Sequence, residues 1–474
     1  MIRRKSLLLL LTLAAFIASG SALEAAKVRP EGKAAKAAKA EGKKKQKGKK
    51  EKAAESKPAA TKPAATRPAS HPVVELGEAV VAPGPQAGEV YKVFTWDATG
   101  QRQYRVTDPN VNNEEAWKFL PNQPMKIQIG DLKDAVRAEV MVDRWGGHTG
   151  TMDESIQFNG GNWLALPDVQ GVTENPSQYM SQDNPVIEVP LDQLKEGENS
   201  VVGYCREAKG WGQFGIFAMV VRVYYDPAKK AHTKAEIAAP ANGAELTSPA
   251  TIEVKATEGE IQKVEVLAEY EDYDFDGDGV YKEYVGAYHQ VNYQTPIALA
   301  HHVGTADAAP FNVTWDMQWV PDQAEAISLI ARVQSADGVW FVTEPVTGLT
   351  IGEREQSVQL YKASEVPTRF GARTNKTLTC KIVIPEGTDL SKAVDAKLYL
   401  RTWNGTNEDH GDFLFNDLTV KGKGANHHYA FTEHEIPVEN LKVGENVVSF
   451  TSPTKHHHLE VSWPGPGLVV RYKK

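Results

Sequence analysis

Between residues 272 and 283 the chain reads Asp272-Tyr-Asp274-Phe-Asp276-Gly277-Asp278-Gly-Val280-Tyr-Lys-Glu283, an alternation of carboxylates with an evident chemical use. A hard cation such as Ca²⁺ takes about six to eight oxygens, so Asp272, Asp274 and Asp276 would each supply one, Gly277 the sharp turn, and Glu283 a bidentate closure. Without a cation, four aspartates this close would repel one another. A second group could meet sugars. Trp145, Trp163, Trp211, Trp403 and Trp463 stand near turns such as Gly146-Gly147-His148 and Gly210-Trp211-Gly212. Indole faces offer flat apolar platforms to sugar C–H groups, and Asn159, Asn162, Asp153 and Glu154 could bind hydroxyls. Trp145 and Trp403 read better as packing residues. That leaves Trp163, Trp211, His148 and Trp463 as ligand candidates.

Histidines gather late in the chain, at His410, His427, His428, His434 and His456-His457-His458. Such imidazoles could hold zinc or copper, or contact a ligand. Consecutive strand residues point to opposite faces, so His456 and His458 can share a side while His457 cannot. No Gly-x-Ser-x-Gly elbow, His-Glu-x-x-His, phosphate loop or Cys-His nucleophile context occurs, so no catalytic residue is assigned. A carboxylate pair for glycoside chemistry is defined by separation in space, which leaves open the alternative of a glycan-active hydrolase or lyase with its site in the His-rich last module.

The acidic spacing resembles the twelve-residue calcium loop of EF-hands. That resemblance implies that Asp278 gives its carbonyl and Val280 reaches the ion through a water. The surroundings differ, because strand-forming residues lie on both sides, at 264–270 and 281–290. A hairpin has no helix pair to open, so the expected ion is structural rather than a signal.

Short Val-, Ile-, Tyr- and Phe-rich segments separated by Gly, Pro, Asn and Asp run from Val73 to the end, which predicts an all-β protein. Two stretches repeat. Ala138-Glu-Val-Met-Val-Asp-Arg-Trp145, followed by Phe158-Asn159, matches Ala396-Lys-Leu-Tyr-Leu-Arg-Thr-Trp403, followed by Phe415-Asn416. Pro190-Leu-Asp-Gln-Leu194-Lys-Glu-Gly197-Glu-Asn199 matches Pro437-Val-Glu-Asn-Leu441-Lys-Val-Gly444-Glu-Asn446. The predicted order is a signal peptide (1–22), a disordered tail (23–72), module 1 (73–230), a central domain (234–352) and module 2 (355–474).

The Trp-(Asn/Gly)-Gly turn, the Phe-Asn hairpin, the Leu-Lys-x-Gly-Glu-Asn turn and the closing strand resemble jelly-roll domains of the carbohydrate-binding-module type. The central stretch opens with Pro240-Ala-Asn-Gly and carries Lys263-Val-Glu-Val and Ile330-Ala-Arg-Val strands. It is similar to the immunoglobulin-like domains of secreted bacterial glycan-active proteins. Two jelly-roll β-sandwiches flanking an immunoglobulin-like sandwich are therefore expected, with polysaccharide or cell-envelope glycan as the partner.

Arg3-Arg4-Lys5, an apolar run of residues 7–17 and the small residues ending at Ala22 read as an export signal, so the protein is expected to be secreted, periplasmic or on the cell surface. No transmembrane segment is expected after its removal. Residues 22–70 hold 15 Lys or Arg against 5 Glu, and without aromatics they cannot bury a core. This basic tail reads as a spacer or as an attachment to an anionic surface polymer, with no specific nucleic acid implied; a matrix component held by it is a further alternative. Setting the tail and the three leader cations aside leaves 35 basic against 56 acidic residues. Cys205 and Cys380 are too few for a disulfide scaffold, although a single bridge is allowed.

Overall fold

The strand Gln213–Tyr225 is buried at every one of its 13 positions, because its sequence does not alternate: Phe-Gly-Ile-Phe-Ala-Met-Val-Val offers apolar groups to both faces. It pairs antiparallel with Val90–Asp97 on one side and Ala135–Trp145 on the other. The single charge in its middle, Arg222, is met by Glu139 at 2.7 Å, and the Tyr224 hydroxyl donates to the same carboxylate oxygen. A buried arginine is tolerated here because its partner lies on the neighbouring strand.

The computed structural model describes residues 71–474 apart from 99–102, 173–175, 208–209, 291–296, 405–411, 423–427 and 456–457. These residues are almost wholly β, as predicted, and belong to one compact unit. The leader and most of the tail lie outside the described residues, as do His410, His427, His456 and His457. Among the described residues no helix is long and apolar enough to cross a membrane.

Sheets cross from one part of the chain to the next. Val90 and Tyr91 pair with Phe341 and Trp340, which joins the early strands to Ile327–Gln334 and Lys263–Glu271 in one 13-stranded sheet. A separate 10-stranded sheet gathers the late strands around Ala393–Asn404, which pairs with His428–Ile436 and Gly467–Lys473. Three cores result. One lies under the early strands, around Phe158, Phe214 and Val221, and one under the late strands, around Phe413, Phe415 and Phe450. The third is central and borrows Met141 and Val220 from the early part and Val358, Tyr399 and Val469 from the late part. Shared apolar burial of this kind resists independent motion of its contributors. Cys205 and Cys380 are free thiols in two different cores.

Asn199 and Asn446 are fully buried and make matching hydrogen bonds. Asn446 accepts from Lys442 N at 2.9 Å, donates to Lys442 O at 2.8 Å, and receives the amide of Asn416 at 3.0 Å. Asn199 does the same with Lys195 and Asn159. Asn159 and Asn416 hold positive φ of 49° and 52°, a conformation that asparagine tolerates better than most residues. Asn446→Ala strands several buried backbone groups and is expected to lower stability by about 2–3 kcal/mol. Denaturant unfolding checks this, with Asn199→Ala as its counterpart.

Candidate functional site

The acidic run joins Lys263–Glu271 to Lys282–Val285 as an antiparallel hairpin, in which Tyr270 faces Glu283 and Asp272 N donates to Tyr281 O at 2.9 Å. Asp274 organises the turn. Its Oδ1 accepts from Gly277 N at 2.5 Å and Asp278 N at 3.2 Å, and its Oδ2 from Gly279 N at 2.7 Å. Gly277 and Gly279 take positive φ of 77° and 92°, which brings the next two carboxylates round. Oxygens of Asp274, Asp276 and Asp278 lie within 4.8 Å of one another.

The electrostatics of this group are unfavourable as it stands. Burial, then Asp278, pushes Asp274 up to about 6, and burial, then Asp276, pushes Asp278 up to about 8. Asp276 and Glu283 are driven well upward by burial and then by the other carboxylates. Asp276 Oδ1 is buried without a hydrogen-bond partner. Hard oxygen donors, mutual repulsion and an orphaned buried oxygen are the conditions a divalent cation would relieve.

The residues that converge are not quite those read from the sequence. Asp272 is occupied elsewhere, accepting from Tyr273 N at 2.8 Å and from the Tyr270 hydroxyl. Val280 donates its N–H to Asp278 Oδ1 at 2.7 Å. The run contains the pattern Asp-x-Asp-x-Asp-Gly twice, two residues apart, and the converging carboxylates are those of the later copy, Asp274-x-Asp276-x-Asp278-Gly279. Glu283 joins through its strand.

The hairpin tip is wedged between early and late parts of the chain. A Cβ at Gly277 would lie 2.5 Å from Gln182 O and 3.2 Å from Trp463 O, and one at Gly279 only 2.1 Å from Gln170 O. A cavity of about 240 Å³ opens beside the tip, lined by Asp276, Asp278 and Glu283 and, from the early sheet, by Asp183. Arg144 grips Asp183 at 2.9 and 2.5 Å and reaches Glu154 at 3.1 Å.

A second convergence lies where the early and late parts meet. Trp145 packs with Phe217 and Tyr429, and Trp403 lies against them, so both tryptophans are packing residues, as expected. His148 stands edge-on to Trp145 at 5.1 Å and tilts toward half-buried Trp211 at 5.6 Å. Burial and then the charges of Arg105, Arg369 and His458 hold His148 down at about 3, which leaves it neutral. From the late part, Glu460 is buried, accepts from the Tyr429 hydroxyl at 3.2 Å and lies 3.7 Å from His458 Nδ1. His148 therefore sits between Trp145 and Trp211 and within electrostatic reach of His458.

The other candidates pack on other partners. Trp463 packs at 4.6 Å on Tyr179, and its N donates to Met180 O at 2.6 Å. Trp163 leans on Tyr204 at 5.5 Å in a separate, mainly apolar groove of about 410 Å³ with Leu120, Pro121 and Val74. Glu460 and Arg369 have no sequence signature and were missed.

Burial raises Glu460 to about 7, opposed by its Tyr429 hydrogen bond and by Arg369. A carboxyl raised in the folded state stabilises it below the ordinary carboxylate range, and that contribution is lost as pH rises through about 7. Glu460→Gln is expected to abolish a stability decline on the order of 3 kcal/mol between about pH 4.5 and 7.5. Urea unfolding at stepped pH measures it.

No family model and no curated protein matches the sequence. Among solved structures the chain is similar to a β-porphyranase of glycoside hydrolase family 86 from Bacteroides plebeius, at 14% identity over 48% of this chain and 35% of that one, with a TM-score of 0.20. It is also similar to the fibronectin(III)-like modules of Clostridium thermocellum CbhA, at 14% identity over 48% and 91%, with a TM-score of 0.17. A β-glucuronidase from Ruminococcus gnavus matches at 10% identity over 58% and 47%, with a TM-score of 0.20. The chain spans about a third of the length of the family 86 enzymes it matches. At such identities and TM-scores these likenesses assign no activity.

Proposed function

We propose that this is an exported, non-catalytic protein that binds polysaccharide where its early and late parts meet, with a structural calcium ion on the acidic hairpin. The reading takes the repeats as jelly-roll modules and the middle as an immunoglobulin-like domain. One observation carries the sugar site. Half-buried Trp211 packs on neutral His148, which feels the charges of Arg369 and His458 from a distant part of the chain, and His458 in turn lies against Glu460. A ring face next to paired donors and acceptors matches what a sugar presents, an apolar C–H face edged by hydroxyls. The acidic excess of the body repels polyanions at long range, which favours a neutral glycan.

Affinity electrophoresis through gels containing neutral, uronate and sulfated polysaccharides tests this, with retardation expected in a neutral gel. One observation favours the glycan-cleaving alternative: Glu460 is a buried carboxyl raised to about 7, the range useful to a general acid. Release of reducing ends that depends on Glu460 or His458 would replace the binding reading. The basic tail, on this account, spaces the folded body from its point of export.

A further inference from the structure

We propose that the divalent cation is shared across the fold, held between the carboxylates of the hairpin tip and Asp183 of the early sheet, and that it thereby steadies the strand carrying Trp145 into the sugar site. The inference rests on the cation reading above and extends it, because a loop ion alone would brace only its own hairpin.

Two observations place Asp183 beside the hairpin carboxylates. It lines the same cavity as Asp276, Asp278 and Glu283. The tip also packs against the residue that precedes it, since a Cβ at Gly277 would lie 2.5 Å from Gln182 O. Meanwhile Asp276 Oδ1 is more than nine-tenths buried and unpartnered. The grip of Arg144 on Asp183 uses one lone pair of each oxygen, and a carboxylate oxygen has two, so a metal bond remains available.

The link onward is covalent and through the sheet ladder. Arg144 pairs with Asp183, and the next residue, Trp145, pairs with Gln182. Trp145 packs on Tyr429 and edges His148 at 5.1 Å. A cation that fixes the strand Gln182–Asp183 therefore fixes the wall of the sugar site, whose other wall comes from the late strands. A hard cation with oxygen preference and flexible coordination suits this donor set, and Ca²⁺ is the choice among common ions.

Terbium(III) is the probe, because Tyr284 and Tyr288 line the cavity and can sensitise its emission. Full-length protein is titrated with terbium and the emission is competed away with calcium. Wild type is expected to bind, Asp278→Asn to lose binding, and Asp183→Asn to weaken it at least tenfold. Glu154→Gln serves as the fold control, since it also removes a partner of Arg144 but does not line the cavity; its affinity is expected to stay within twofold of wild type. Binding in wild type with Asp183→Asn unchanged, or with Asp183→Asn and Glu154→Gln weakened alike, overturns the shared site and leaves a loop ion standing. Sensitised emission that is absent from wild type, or that calcium does not displace, overturns the cation reading itself and this inference with it.

Discussion

Protein stripped by a chelator and returned to calcium is expected to melt about 5 °C higher. Saturation at a hundred times the dissociation constant adds about 2.7 kcal/mol, and a chain of this size gains roughly 2 °C per kcal/mol. The diagnostic outcome comes from Asp276→Asn, for which two effects have opposite signs. Asp276 has a buried, unpartnered Oδ1 and is driven upward by burial and then by Asp274, so without metal the substitution removes a buried acidic group from beside another and raises the melting temperature. With calcium the substitution removes a ligand and the metal-dependent rise disappears. Differential scanning calorimetry with and without calcium reads both. A metal-dependent rise that survives in Asp276→Asn would remove the converging carboxylates from the account.

Trp211→Ala is expected to weaken polysaccharide binding by about 30-fold, the size of a contact hot spot of roughly 2 kcal/mol, while Trp163→Ala changes it less than about twofold. The two residues look equivalent in the sequence, each an indole near a turn. They separate in the structure, because Trp163 leans on Tyr204 in its own groove while Trp211 packs on His148, which feels the charges of the late-chain Arg369 and His458. Calorimetric titration of the two variants with soluble oligosaccharide measures the contrast. Equal losses would place the sugar across both grooves and disperse the site.

The strands were legible because their chemistry is local. Val-, Ile- and Tyr-rich segments bounded by turn residues read as β, and the unalternating run within Gln213–Tyr225 is buried on both faces. Asn199 and Asn446 were visible as members of turns, although only the structure shows each one binding its own loop and a distant Asn-containing hairpin. The acidic loop was legible as a chemistry but ambiguous in register. Two overlapping copies of Asp-x-Asp-x-Asp-Gly occur, and only the earlier places a glutamate, Glu283, at its twelfth position; that the carboxylates of the later copy converge came from hydrogen bonds to Asp274 and from the diversion of Asp272 toward Tyr270. What could not be read is everything brought from afar. Asp183 reaches the hairpin only because the early sheet passes beside it, and Glu460 acquires its character only by burial against Tyr429. Pattern reports what a residue's neighbours in sequence require, and these sites are made by neighbours in space.

The most direct test of the sugar site is affinity electrophoresis of the full chain and of a Trp211→Ala, His148→Ala double variant, in calcium, across gels of neutral polysaccharides. The account predicts that wild type is retarded in at least one gel and that the double variant, folded by its melting curve, migrates in that gel as it does in plain acrylamide. Wild type unretarded in every gel, or a double variant retarded as strongly as wild type, would contradict it.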